Sequence, residues 1–116
     1  MHLYRPVGPK EYQLIEDSGF KRFPPRLPEQ PIFYPVLNLE YARKIASEWN
    51  VPHSGVGFVM AFEIDDFYIN RYEVQTVGSS VHQEYWIPAE DLEQFNDHII
   101  GVIEAVEKYT SGEAHD

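Results

Sequence analysis

The chain contains no cysteine. That excludes a disulfide framework, a thiolate metal site and a cysteine nucleophile in one step, and it fits a reducing compartment. Cations are also scarce, with nine Lys and Arg against nineteen Asp and Glu, a formal charge of −10. Such a surface repels phosphate backbones and anionic lipids, so neither nucleic acid nor a membrane is an expected partner. An anionic small ligand stays open, because one or two local arginines can hold a phosphate against an unfavourable global field. No run approaches the roughly 18 apolar residues of a membrane span. The first residues, MHLYRPVG, lack the basic region and apolar run of a secretory signal. The expectation is a soluble, cytoplasmic protein.

What is present is a core. Of 116 residues, 43% are hydrophobic and 15% aromatic, enough for one domain that buries about two thirds of its unfolded surface. The domain is expected to run over 1–116, with 110–116 a frayed tail. There is no internal repeat and no linker that would split it.

Leu3–Pro6 reads as a first strand. Pro9 suits the first turn of a helix whose Tyr12, Leu14 and Ile15 face inward, and Gly19 stops it. KRFPPRLPEQP is an extended loop. Within it Arg22, Pro25 and Pro28 match a basic residue followed by PxxP, as in ligands of SH3 domains, but a structural loop is the preferred reading. Pro31–Leu37 looks like a strand, with Pro35 arguing for an edge, a bulge or an early end. Asn38 can cap a helix to about Trp49, with Leu39, Ala42, Ile45, Ala46 and Trp49 as its apolar stripe and Asn50–Pro52 closing it. Gly55–Ile64, apolar on both faces, reads as a strand buried on both sides. Phe67–Arg71 fits a helical turn or a strand, and Tyr72–Val77 a strand. His82–Ile87 reads as the last strand. Pro88 then opens a final helix with Leu92, Phe95, Ile99, Ile103 and Val106 facing the core, despite Gly101, which costs about 1 kcal/mol relative to alanine. Helices and strands cluster instead of alternating strictly. The fold class is therefore α+β, with mixed or antiparallel sheets and about three helices.

The chemistry-bearing stretch is HQEYWIP at His82–Pro88. Strand alternation puts His82, Glu84 and Trp86 on one face and Gln83, Tyr85 and Ile87 on the other. Glu84 then sits between a proton partner and a large aromatic, with no cation in the local sequence. It is either a carboxylate that polarises a substrate or an ordinary edge-strand glutamate. Arg5, between Tyr4 and Pro6, either grips a phosphate with its planar fork or pairs with an acid. Tyr34 is either core or a stacking surface for a nucleobase or nicotinamide ring. His53, His82 and His98 show no ligand spacing, so no metal is expected. Gly55-Val56-Gly57 fails the dinucleotide fingerprint. Glu63 and Glu84 form a conceivable hydrolase pair whose separation the sequence leaves open.

LYRPVG at Leu3–Gly8, FYPVLNLEYARKIA at Phe33–Ala46 and EYWIP at Glu84–Pro88 together resemble the ADP-ribosyltransferase-like fold. More closely, the chain resembles small bacterial proteins labelled as the ADP-ribosylation/crystallin J1 family. The resemblance covers Leu3 to about Tyr109. It implies an NAD-binding protein that transfers ADP-ribose, or an NAD glycohydrolase, with NAD as the substrate and a protein acceptor. By position, Arg5 would contact the NAD phosphate or ribose. Tyr34 would lie near the nicotinamide, and Glu84 would be the catalytic carboxylate, with His82 and Gln83 supporting the cofactor. Gly78–Val81 would fall where those enzymes carry a target-recognition loop. Where the family carries Ser-Thr-Ser, this chain has Tyr34-Pro35-Val36. His82 stands where protein-modifying transferases commonly have Glu or Gln. The alternative is a non-catalytic protein-interaction module on the same fold. The enzyme reading requires Arg5, Tyr34 and Glu84 to meet in one concave cleft.

Overall fold

The computed structural model describes residues 1–79 and 81–111. Three antiparallel strands form its centre: β1 (His2–Val7), β3 (Val56–Ile64) and β7 (Ile99–Thr110), in the order β1-β3-β7. Leu3 lies opposite Phe62 and Arg5 opposite Met60. β2 (Ile32–Phe33) pairs with β6 (Ile87–Pro88), and β4 (Val74–Thr76) with β5 (Gln83–Tyr85). Pro35 ends β2 as its missing N–H requires. The chain then makes a single-residue bridge at Val36, which pairs with Tyr4 on one side and Glu84 on the other. Through Val36 the β4-β5 ribbon joins the edge of β1.

The sheet is packed on both faces. One face carries Leu3, Phe23, Phe33, Met60, Phe62, Ile87 and Phe95 in a continuous core. Over it lie α1 (Pro9–Asp17), α4 (Asp66–Ile69) and α5 (Leu92–Asp97), which supply Ile15, Tyr68, Ile69 and Leu92. The other face buries Val36 and Val59 against Ala42 and Ala46 of α2 (Leu39–Ile45) and the turn after it. Alternation along β3 makes both faces possible, since Val59 points one way and Met60 the other. The α+β class holds, with every strand pair antiparallel.

Asn38 caps α2, its side-chain oxygen accepting from the Tyr41 N–H at 2.7 Å. The helix does not close at Asn50–Pro52. It widens into a π turn (Ala46–Asn50) and continues as α3 (Val51–Ser54), ending at Gly55 with φ +80°. Pro52 has no N–H to give the carbonyl four residues back, and its ring crowds that carbonyl, so the wider turn absorbs the proline. Trp49, expected in the core stripe, is 57% exposed, and Leu14 of α1 also faces outward.

The larger correction concerns the end of the chain. The helix opened near Pro88 is short, a 3₁₀ turn (Ala89–Asp91) followed by α5, and residues from Ile99 form β7. His82–Ile87 is therefore not the last strand. The spacing of Leu92, Phe95, Ile99, Ile103 and Val106 mimics a helix, but Ile99, Ile100, Val102, Ile103 and Val106 are β-branched and favour a strand. Bulges reconcile the two patterns. The register against β3 shifts between Val59 and Met60 and between Ala61 and Glu63, and Gly101 takes φ +76°. These shifts turn Ile103 into the core, where its N–H donates to the Phe20 carbonyl at 2.7 Å.

Candidate functional site

Glu84 lies at the middle of β5, opposite Gln75 and beside the Val36 bridge. It is 7% exposed. Its Oε1 accepts from the Tyr41 hydroxyl at 2.6 Å and its Oε2 from the Trp86 indole N–H at 2.7 Å. The Tyr41 hydroxyl is pushed up to about 12, first by burial and then by the hydrogen bond to Glu84 and its negative charge. Both donors are neutral, and among the described residues no Lys, Arg or His forms an ion pair with Glu84. The carboxylate is thus fixed in direction without being neutralised. Such a group stabilises a positive charge that develops in front of it, at no reorganisation cost.

Arg5 shares the face of β1 with Leu3 and Val7, which turns its guanidinium inward over the Phe33 ring at 4.8 Å. Nε and Nη2 grip Glu11 of α1 in a fork of two 3.0 Å bonds, and Nη1 reaches the Tyr34 carbonyl at 3.4 Å. Arg26, from the proline-rich loop, approaches the same Glu11 at 4.0 Å and the same Phe33 ring at 6.0 Å.

Arg5, Glu11, Arg26, Tyr34 and Glu84 line one cleft of about 490 Å³, within the size range of small-molecule sites. Gly8, Ile45, Trp49 and Asn50 are among the other residues of its wall. Two aromatics stand at it with accessible faces, Tyr34 at 40% and Trp49 at 57% exposure. Trp49 stacks on His53, centroids 3.9 Å apart, and that contact holds the indole. Asn50 is placed by the π turn, which presses on β3 where Gly57 has no side chain. A Cβ there would fall 2.4 Å from the Ala46 carbonyl oxygen.

Of the residues singled out in the sequence, Arg5, Tyr34 and Glu84 come together in this cleft. His82 and Gln83 do not line it. His82 stacks on the back of Tyr41, centroids 4.5 Å apart, and borders a separate hollow with Arg43, Lys44 and Ser47. Gln83 is engaged through its carbonyl, which accepts from Leu37 N–H at 3.0 Å. Glu63 bonds to His2 at 2.8 Å and takes no part in the cleft, so it is not a partner of Glu84. Arg22, the basic residue of the PxxP-like stretch, pairs with Glu93 and Asp97. His98 stacks on Tyr68. Among the described residues no group of three His, Asp or Glu side chains is placed to hold a metal ion, and no helix is long and apolar enough to cross a membrane. Of the expected recognition loop Gly78–Val81, Ser80 lies outside the described residues.

Sequence reasoning missed Glu11, Arg26, Tyr41, Trp49 and Asn50. Tyr41 carried a signal, a polar-tipped aromatic off the apolar stripe of its helix, whereas Trp49 was read as part of that stripe. Arg26 had none, since a proline-rich loop gives no period from which to place a side chain. No family model, no curated protein and no solved structure matches the chain.

Proposed function

We propose that this cleft binds NAD and that the chain transfers its ADP-ribose to an acceptor, or to water as an NAD glycohydrolase, through Glu84. In this reaction the bond from ribose C1′ to the nicotinamide nitrogen breaks, and nicotinamide leaves with the electron pair. An acceptor nucleophile or water forms the new bond to C1′ and gives up a proton. Positive charge grows on the ribose in between. Glu84, held by Tyr41 and Trp86, faces that charge, while Tyr34 and Trp49 offer flat surfaces for the rings and the arginines meet the phosphates.

The observation that carries this reading is the meeting of Arg5, Tyr34 and Glu84, from three separate stretches of the chain, in one cleft. A single cation or aromatic on a strand is commonplace, but their convergence on an uncompensated carboxylate is a constellation suited to glycosidic cleavage of a charged nucleotide. The test is an NAD titration followed by backbone amide NMR shifts, on the wild type and on Glu84→Gln. Saturable shifts around Arg5, Tyr34 and Glu84, with nicotinamide released by the wild type alone, support the reading. No shift at millimolar NAD overturns it and directs attention to protein partners.

A further inference from the structure

Arg26 is an anomaly. Its side chain is only 11% exposed, its Nε is buried without a hydrogen-bond partner, and its closest anion is the Glu11 carboxylate at 4.0 Å. That carboxylate is already taken by the Arg5 fork. Two guanidiniums therefore share one negative charge, and both lie over one Phe33 ring. Burial, and then the nearby Arg5, hold the Arg26 guanidinium below its usual pKa. Removing a cation from water without a matching hydrogen-bonded anion opposes folding. In a chain with nineteen acids to nine Lys and Arg, a partner for this arginine would be easy to supply.

We propose that Arg26 and Arg5, with Glu11 between them, form a subsite for the diphosphate class of anion, and that Arg26 makes the direct contact. The phosphate oxygens supply the acceptors that the Arg26 fork lacks, and Glu11 orients Arg5 while leaving one net positive charge at this end of the cleft. The proposal rests on the preceding reading for the identity of the whole ligand, but not for the anion itself. It also moves the phosphate contact from the strand to the proline-rich loop. Arg5 becomes a positioning residue, already satisfied by Glu11 and the Tyr34 carbonyl.

The experiment is calorimetric titration of inorganic pyrophosphate, inorganic phosphate and NAD, each separately, into the wild type, Arg26→Gln, Arg26→Lys and Glu11→Gln at low ionic strength. Melting temperatures are measured for all four proteins. The expected result is saturable pyrophosphate binding by the wild type, at least tenfold weaker in Arg26→Gln and intermediate in Arg26→Lys. Arg26→Gln should melt no lower than the wild type, an outcome that loss of a merely structural arginine would not give. Glu11→Gln, which removes the competing charge, should bind pyrophosphate more tightly. Equal pyrophosphate binding by the wild type and Arg26→Gln, or none by the wild type, overturns the subsite. Phosphate binding as tight as pyrophosphate overturns the diphosphate assignment. If pyrophosphate binds through Arg26 but NAD does not bind, the subsite stands and the NAD reading falls. If NAD binds equally with and without Arg26, the reverse holds.

Discussion

Trp86 donates its indole N–H to the carboxylate of Glu84, two residues earlier, at 2.7 Å. The bond runs along one face of the chain across the break between β5 and β6, so the break itself orients the donor. Together with the Tyr41 hydroxyl it leaves each carboxylate oxygen with remaining acceptor capacity toward the cleft.

Glu84→Gln keeps the shape and removes the charge. The amide oxygen accepts from the Trp86 N–H and the amide nitrogen donates to the Tyr41 hydroxyl, which turns from donor to acceptor. NAD cleavage should fall by about 10²–10³-fold, the usual scale for a lost electrostatic stabiliser, while NAD affinity changes little. Urea unfolding should show a change of about 1 kcal/mol or less, because both partners stay hydrogen-bonded.

Tyr41 gives a pH signature. Its folded-state pKa is about 12 against an ordinary value of 10, so between these values the folded protein holds a proton that the unfolded chain releases. The stabilisation is fully present below pH 10 and is lost as pH rises through 12. Ultraviolet titration should show a late tyrosine that disappears in Tyr41→Phe, and the alkaline loss of stability should be shallower in that variant.

Gly57→Ala should be costly out of proportion to one methyl group. The new Cβ would meet the backbone carbonyl of Ala46 at 2.4 Å and the Asn50 Cβ at 3.0 Å, and backbone cannot swing aside as a flexible side chain can. A loss of about 2–3 kcal/mol, the upper part of the overpacking range, is expected in denaturant unfolding. Ligand binding should weaken as well, because the π turn that places Asn50 must shift.

Asn96 is buried and clamps the backbone of Phe23 from both sides. It accepts from the Phe23 N–H at 2.8 Å and donates to the Phe23 carbonyl at 2.9 Å. Asn96→Ala strands two buried backbone groups and should cost about 2–4 kcal/mol by thermal or urea unfolding. Since Arg26 follows three residues later, pyrophosphate affinity should fall in the same variant.

Much of this was legible in the sequence where local chemistry and tertiary packing agree. Asn38 announced its cap, Pro9 its helix start, and the doubly apolar run to Ile64 a central strand. Glu84, Arg5 and Tyr34 stood out as polar or polar-tipped groups in apolar surroundings. The end of the chain was misleading because Ile99, Ile103 and Val106 satisfy a helical spacing by accident. A strand with two register shifts no longer alternates, and the density of β-branched side chains was the better guide. Arg26 and Glu11 could not be paired from the sequence, since their closeness depends on how a proline-rich loop folds back over α1.

Val36 holds the two sides of the cleft together. Its N–H and carbonyl pair with Tyr4 at 2.8 and 2.9 Å, and its neighbours Pro35 and Leu37 bond to Tyr85 and Gln83. The strand that bears Arg5 and the strand that bears Glu84 are thus joined by a seam one residue wide. That seam fixes the span between them, and Leu3 on one side and Tyr85 on the other are buried in one core, so the cleft is a gauge of set width. Ligands would then be selected by the separation between their anionic and electropositive ends. Binding across the cleft would slow amide hydrogen exchange at Tyr4, Val36, Leu37 and Tyr85 together, and unequal slowing along that line would show that the seam does not act as one unit.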